Sequence, residues 1–312
     1  MPLPPKEFVR SPAALARSFT ESEAQAYTRW LATHHYENFH VVSFLLPRKL
    51  HRDFYNVYSF CRWADDLGDE MGDPAESLRL LNWWSAELDG MYAGRTHHPV
   101  FVALRGTVAR HGIPKQPFAD LIHAFIQDQT VTRYADWDRL LDYCVYSANP
   151  VGRLVLYLCG YSDVGRQELS DATCTALQLA NFWQDVAIDL QKDRVYMPLD
   201  VRRRHDYSLE DLFALRTTPG FRSAMRELVE RARELFLRGL PLANTVNRRL
   251  AVDLELFSRG GLRILEKIEE QKYDVLARRP AISKSERVRL LLGTLLGTLL
   301  STLARLASSR AA

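Results

Sequence analysis

The sequence predicts an all-α fold, one domain built as a helical bundle, on three observations. Helical periodicity runs through most of the 312 residues, strand signals are scarce, and each periodic stretch starts or stops near a proline or glycine. In residues 53 to 65, Phe54, Val57, Tyr58, Cys61 and Asp65 follow the i, i+3, i+4 rhythm of one helix face, which runs from apolar into acidic. Segments 76 to 92, 118 to 131, 137 to 147, 170 to 190, 220 to 237 and 246 to 272 read similarly. The breakers "GDP", "HGIPKQP", "NPVG", "MPLD" and "RGLP" divide them. No repeat, low-complexity linker or shift in composition cuts the chain in two.

With 47% hydrophobic and 25% charged residues the composition is that of a globular domain, which excludes general disorder. A net charge of +3 is too small to argue for nucleic acid, and no finger-like or basic-region pattern adds to it. The "RRR" at Arg202 to Arg204 reads as a solvated face. Cys61, Cys144, Cys159 and Cys174 form no CxxC pair and have no histidine at zinc-ligand spacing, so reduced, mostly buried thiols in a cytoplasmic protein are expected. The N-terminal residues carry prolines and charges where a signal peptide needs an unbroken apolar core. Near the C-terminus, Leu290 to Ala304 carries no charge. Thr294, Thr298, Ser301 and Arg305 share one face of it, opposite leucines. Three placements are open for this amphipathic helix: packing on the domain, peripheral contact with a membrane interface near Arg287, Arg289 and Arg310, or spanning, for which it is short.

The chemistry concentrates in two acidic stretches. "FCRWADDLGDE" places Asp65 and Asp69, and likewise Asp66 and Glu70, four apart on a helix face, where like charges repel. About 120 residues on, "NFWQDVAIDLQKDRVYMP" lines Gln178, Asn181, Asp185 and Asp189 along one face, beside Leu177, Phe182, Trp183 and Ile188. Either cluster alone can be a solvated helix end. Two such pairs on separate helices can also face one another across a pocket, and hard oxygen ligands at that density suit Mg²⁺, which keeps waters and takes substrate phosphate. Arg62, Lys192 and Arg194 would add fixed positive charge for an anion bridged to the metal.

From about residue 35 to 280 the chain resembles the squalene/phytoene synthase family. The resemblance rests on "YSFCRWADDLGDE" and "NFWQDVAIDLQKDRVYMP", which look like the family's two Asp-rich motifs, with "LLPRKL" and "DYCVYSANPVG" in support. It implies a single-domain isoprenoid (terpenoid) synthase bundle with a central pocket, in which both motifs hold Mg²⁺ against a prenyl diphosphate. The implied layout is an N-terminal extension at 1–34, a catalytic domain at 35–283 and an amphipathic C-terminal helix at 284–312. Carried over by position, the metal-binding residues are Asp65, Asp66, Asp69, Asp185 and Asp189. Tyr58 and Arg62 match residues that touch diphosphate, Tyr143 matches a pocket tyrosine near the ionising centre, and Asn181, Lys192, Arg194 and Tyr196 fall on the substrate-binding side. Tyr58 and Tyr143 can equally be core aromatics with a satisfied hydroxyl.

Two departures point to a branch. "YENF" replaces a serine-containing stretch, so Asn38 stands where a diphosphate-contacting serine is usual, next to Phe39, and the usual "AG" becomes Ala148-Asn149. Both features resemble the hydroxysqualene synthases of bacterial hopanoid biosynthesis, which implies presqualene diphosphate as substrate, hydroxysqualene and diphosphate as products, and neighbouring pathway enzymes as partners. Asn149 is then the residue expected to lead water to the cation, with Phe39, Phe60, Tyr143 and Phe182 as stabilising aromatic faces. The alternatives are a sibling that condenses two farnesyl or geranylgeranyl diphosphates, and a non-catalytic assembly or lipid-binding factor. No GxGxxG fingerprint is present, which leaves reduction by NADPH undecided.

Overall fold

The computed structural model describes residues 2–34 and 47–294. Asn38 and Phe39, and most of the uncharged C-terminal run, lie outside the described residues. Among the described residues the structure is helical, with no strand and one isolated bridge between Arg133 and Val195. The chain forms two compact units, one built from the residues up to Thr132 with Asp142–Gln167, the other from Arg133–Leu141 and the residues from Glu168 onward.

In the first unit, α1 (Glu21–His34), α2 (His51–Asp69), α3 (Pro74–Tyr92), α4 (Pro99–His111) and α5 (Gln116–Gln127) pack with α2 at the centre. Breakers act through caps. Gly72 adopts a left-handed φ of 81°, and Asp73 then accepts from the Ala75 and Glu76 amides to start α3. Gly112, at φ 61°, closes α4. An apolar core of Phe60, Trp63, Leu67, Leu81, Trp84, Phe101 and Phe118 excludes water almost completely. Trp63 and Trp84 stack at 5.0 Å, and the His98 ring stands edge-on 4.3 Å from Trp63. Burial drives the His98 imidazole well below its ordinary pKa, so it stays neutral. Phe8, Tyr27 and Leu31, from the segment expected as an extension, belong to this core.

A polar seam fixes α2 among its neighbours. Thr28 Oγ1 donates to Asn56 Oδ1 at 2.7 Å, and Asn56 Nδ2 donates to the Ala103 carbonyl at 3.1 Å and to Thr107 at 3.0 Å. Because Asn56 is fully buried, each of these bonds spares a desolvated amide its penalty. The faces of α2 consequently differ from the expected stripe. The driest line is Phe60, Trp63, Ala64 and Leu67, whereas Tyr58, Cys61 and Asp65 are half-buried.

Helix α6 (Trp137–Ser147) is followed after the single residue Ala148 by α7 (Asn149–Leu158), so "NPVG" opens a helix with Pro150 in its first turn. In the second unit, α8 (Val164–Asp189), which starts in the first unit, is accompanied by α9 (Leu199–Arg204), α10 (Leu209–Phe213), α11 (Pro219–Gly239) and α12 (Arg248–Glu270). Close approach is made at two glycines: a Cβ on Gly239 would strike Thr173, and one on Gly261 would strike Phe236. Arg202 is buried, its Nε 3.4 Å from the Met197 carbonyl, so "RRR" is a solvated face only at Arg203 and Arg204. Residues 284–294 form a helix on α12, where Glu286 meets Arg263 at 2.8 Å and Lys267 at 2.9 Å. Among the described residues no helix is long and apolar enough to cross a membrane.

Candidate active site

The first acidic motif closes α2. Its last two turns carry Arg62, Asp65, Asp66 and Asp69, and Asp65 and Asp66 share the Arg62 guanidinium: Nη1 lies 3.1 Å from Asp65 and Nη2 2.5 Å from Asp66. The Asp66 contact is an ion pair by distance but lies off the hydrogen-bonding axis, so Asp66 Oδ1 is buried without an aligned donor. Burial raises the Asp66 carboxyl above its ordinary pKa against the pull of Arg62, and Glu70 and Asp69 add to the rise. Asp69 is exposed. One turn upstream, Tyr58 is half-buried, and burial likewise raises its hydroxyl. Gln129 Nε2 donates to the Gly68 carbonyl at 3.2 Å, tying this helix end to the chain just after α5.

Tyr143 is 4% exposed and donates its hydroxyl to Asp128 Oδ2 at 2.9 Å. Asp128 was not legible as the partner of Tyr143, since nothing in its spacing links it to a tyrosine 15 positions away. Asn149 is buried at the first position of α7. Phe60 is removed from the candidate aromatic faces: it is fully buried, edge-on to Phe101 and Phe118 and stacked on Trp84.

The second motif, in the other unit, closes α8. Asn181, Asp185 and Asp189 share the expected face and are exposed or half-buried, while Phe182, Trp183 and Val186 face inward. Ile188, expected among the apolar neighbours, is exposed. The tail turns sharply: Leu190–Lys192 is a 3₁₀ turn, Asp193 is left-handed at φ 55°, and the Arg194 amide donates to the Asp189 carbonyl at 2.9 Å. Tyr196 returns to lie flat on Phe182, with ring centroids 3.6 Å apart and planes 8° apart, and stacks on Tyr134 at 5.8 Å. Arg133 holds the turn by donating to the Asp193 carbonyl and, at 2.5 Å, to its carboxylate. Lys192 is exposed and Arg194 half-exposed.

One cation here was not anticipated. Arg279 grips Asp185 with two hydrogen bonds, Nε to Oδ1 and Nη2 to Oδ2, the latter at 3.0 Å. Its segment is anchored to the end of α8 where Gln184 Nε2 donates to the Pro280 carbonyl at 2.5 Å. The residues lie 94 positions apart, and no local spacing announces the pair. Asp185 raises the pKa of the Arg279 guanidinium by this contact, so the cation is fixed.

Both motifs fit Mg²⁺ by donor chemistry, because each is a set of hard carboxylate oxygens held on a helix end. Asp66 Oδ1, buried and paired with Arg62 by distance but without an aligned hydrogen bond, keeps acceptor capacity that suits a hard cation. Among the described residues no three acidic, histidine or cysteine groups converge into a ready metal cluster. The carboxylates are presented in two groups, with Arg62 on one and Arg279 on the other.

The squalene/phytoene synthase profile matches residues 32–286. A hydroxysqualene synthase of Rhodopseudomonas palustris is 38% identical over 242 residues, 76% of this chain and 81% of its own length. A phytoene synthase of Thermus thermophilus is 34% identical over 274 residues, 87% of this chain and 92% of its own. Among solved structures, the squalene synthase HpnC from Alicyclobacillus acidocaldarius superposes with a TM-score of 0.78 at 44% identity, covering 81% of this chain and 95% of that one. A dehydrosqualene synthase in complex with ligand has the same fold, with a TM-score of 0.79 at 21% identity over 90% of this chain and 98% of its own.

Proposed function

We propose that this chain, which belongs to the squalene/phytoene synthase family, ionises presqualene diphosphate with Mg²⁺ and admits one water to the cation, giving hydroxysqualene and diphosphate. The observation that supports the branch is the 38% identity to a hydroxysqualene synthase over 76% of this chain. The metal ligands on this reading are Asp65, Asp66 and Asp69 in one motif and Asp185 and Asp189 in the other, with Asn181 on the second face.

Bound Mg²⁺ would neutralise the departing diphosphate and so lower the barrier to C–O cleavage. Arg62 already spans Asp65 and Asp66, and its charge is available to the leaving group without a change of helix. Lys192 and Arg194 serve the same anion from the second motif's tail. Tyr143, with its hydroxyl proton committed to Asp128, presents oxygen lone pairs and a ring face to developing positive charge. Asn149, a buried amide at a helix start, orients the attacking water. The water oxygen forms the new C–O bond, and its surplus proton leaves with diphosphate. The reading places Asn38 and Phe39 on the substrate as well.

A second reading, condensation of two prenyl diphosphates, is favoured by the longer match to phytoene synthase, 87% of this chain against 76% for the hydroxysqualene synthase. One experiment separates them: purified chain with Mg²⁺ and no nicotinamide, given presqualene diphosphate or farnesyl diphosphate, with products identified by mass spectrometry. Hydroxysqualene from the first and little turnover of the second is expected. Robust condensation of farnesyl diphosphate overturns the branch assignment.

A further inference from the structure

The first unit carries a cleft of about 830 Å³ between α1 and the start of α2, away from the acidic motif that ends α2. Arg29, Arg48 and Arg52 line it, and no carboxylate does among the described residues. These three arginines make no ion pair among the described residues, whereas Arg17, Arg79 and Arg110 of the same unit are each bound to an acid. Unpaired cations brought together this way repel one another, and an anion removes that cost.

Three further features point to the same ligand class. Helix α2 begins here with no side-chain cap on Leu50, and the acid in its first turn, Asp53, faces inward to Arg110 and His111. The positive end of a 19-residue helix is therefore uncompensated on the cleft side. Gln25 also lines the cleft, and both polar atoms of its amide are buried without a hydrogen-bond partner. Trp30 and Tyr55 supply half-buried rings at the cleft wall, each paired with a histidine, His34 at 5.5 Å and His51 at 6.3 Å.

We propose that this cleft binds the phosphate of an anionic phospholipid headgroup and docks the protein on a bilayer surface. Arginines suit phosphate oxygens in number and geometry, and the cleft is much larger than phosphate alone, with room for the glycerol region. The amphipathic rings of Trp30 and Tyr55 are of the kind that settles at the membrane–water boundary. The site stands on its own geometry and does not depend on the reaction assigned above.

The test is vesicle co-sedimentation of the full chain with phosphatidylcholine alone and with phosphatidylcholine containing phosphatidylglycerol. Wild type is compared with Arg29→Gln/Arg48→Gln/Arg52→Gln and with a charge-matched control on exposed arginines of the other unit, Arg203→Gln/Arg248→Gln/Arg249→Gln. Circular dichroism confirms that each variant is folded. Each arginine near an anionic surface contributes roughly fivefold in partitioning, so the cleft variant should lose on the order of a hundredfold on anionic vesicles while the control changes little. Equal losses in both variants, or none in the cleft variant, overturn the proposal. Binding of inorganic phosphate to the wild type by calorimetry, lost in the cleft variant, with no retention of the wild type on anionic vesicles overturns the lipid assignment in favour of a free anion.

Discussion

The two acidic motifs have the same local plan, carboxylates one turn apart at the end of a long helix, yet they are neutralised differently. In α2 the counter-cation is Arg62, three and four residues from its partners on the same helix. In α8 it is Arg279, which arrives from 94 residues away on a segment beyond α12. A cation built into the helix stays within reach of its partners for as long as the helix is folded. A cation delivered by a distant segment can be displaced. A third acid completes the series: Asp253 in α12 is buried with neither oxygen hydrogen-bonded among the described residues, and burial pushes its carboxyl up to about 7. The three acids ask how much a carboxylate depends on a local, a remote or an absent cation.

The largest expected effect tests whether both motifs serve one reaction. Asp65→Ala and Asp185→Ala should each cut turnover by more than about a thousandfold, since each removes charge stabilisation at the leaving group. Steady-state kinetics with the fold checked by circular dichroism decides it. If one variant kept half of wild-type activity, the parity of the motifs would be broken.

Next comes Asp253, the acid without a cation. Its folded carboxyl holds a proton up to about pH 7, whereas the unfolded group releases it near the ordinary aspartate value of 3.8. The folded state therefore binds more protons between those values. Its contribution is full below about pH 4 and is lost as pH rises through 7. A shift of this size corresponds to roughly 2–4 kcal/mol. Asp253→Asn should flatten the pH dependence and be the more stable protein at pH 8, as read by urea denaturation at pH 5 and 8. An unchanged slope would show that the acid has a partner in solution.

Arg62→Ala should cost about 1–3 kcal/mol at neutral pH, because it leaves the buried Asp66 carboxylate without its cation. The loss should shrink in acid as Asp66 takes up a proton, and Arg62→Lys should recover part of it. A variant as stable as wild type at pH 8 would mean that the α2 pair contributes nothing to folding and serves chemistry alone.

Much of this arrangement was legible locally. Residues 76 to 92 and 137 to 147 were expected as helices and are observed as Pro74–Tyr92 and Trp137–Ser147, and both acidic faces fall where i, i+4 spacing puts them. Burial was harder to read. Phe60 and Cys61 are adjacent apolar residues, and only packing decides that Phe60 enters the core while Cys61 stays half-buried. "NPVG" reads as a breaker because Asn, Pro and Gly favour turns, yet Pro150 in a first helical turn is compatible with α7. Asp128, Arg133 and Arg279 escaped because each acts on a residue far along the chain, and hydrogen bonds between distant segments leave no period in the sequence.

The smallest expected effect bears most directly on the difference between the motifs. On the proposed reading Arg279 and Mg²⁺ would compete for the same carboxylate, since both Asp185 oxygens are occupied by the guanidinium. Breaking that pair is part of the cost of binding metal at the second motif. The pair is partly exposed, with side-chain exposures of 49% for Arg279 and 24% for Asp185, so the cost is of the order of a surface ion pair, about 1 kcal/mol or less. Arg279→Ala should therefore tighten Mg²⁺ binding by a few-fold, measured by calorimetry on the substrate-free protein. Arg62→Ala should do no more than match it at the first motif, because Asp66 is buried and loses the cation that sits on it along with the competitor. If Arg279→Ala weakens metal binding instead, the guanidinium positions Asp185 for the metal rather than standing in for it, and the remote cation is as structural as the local one.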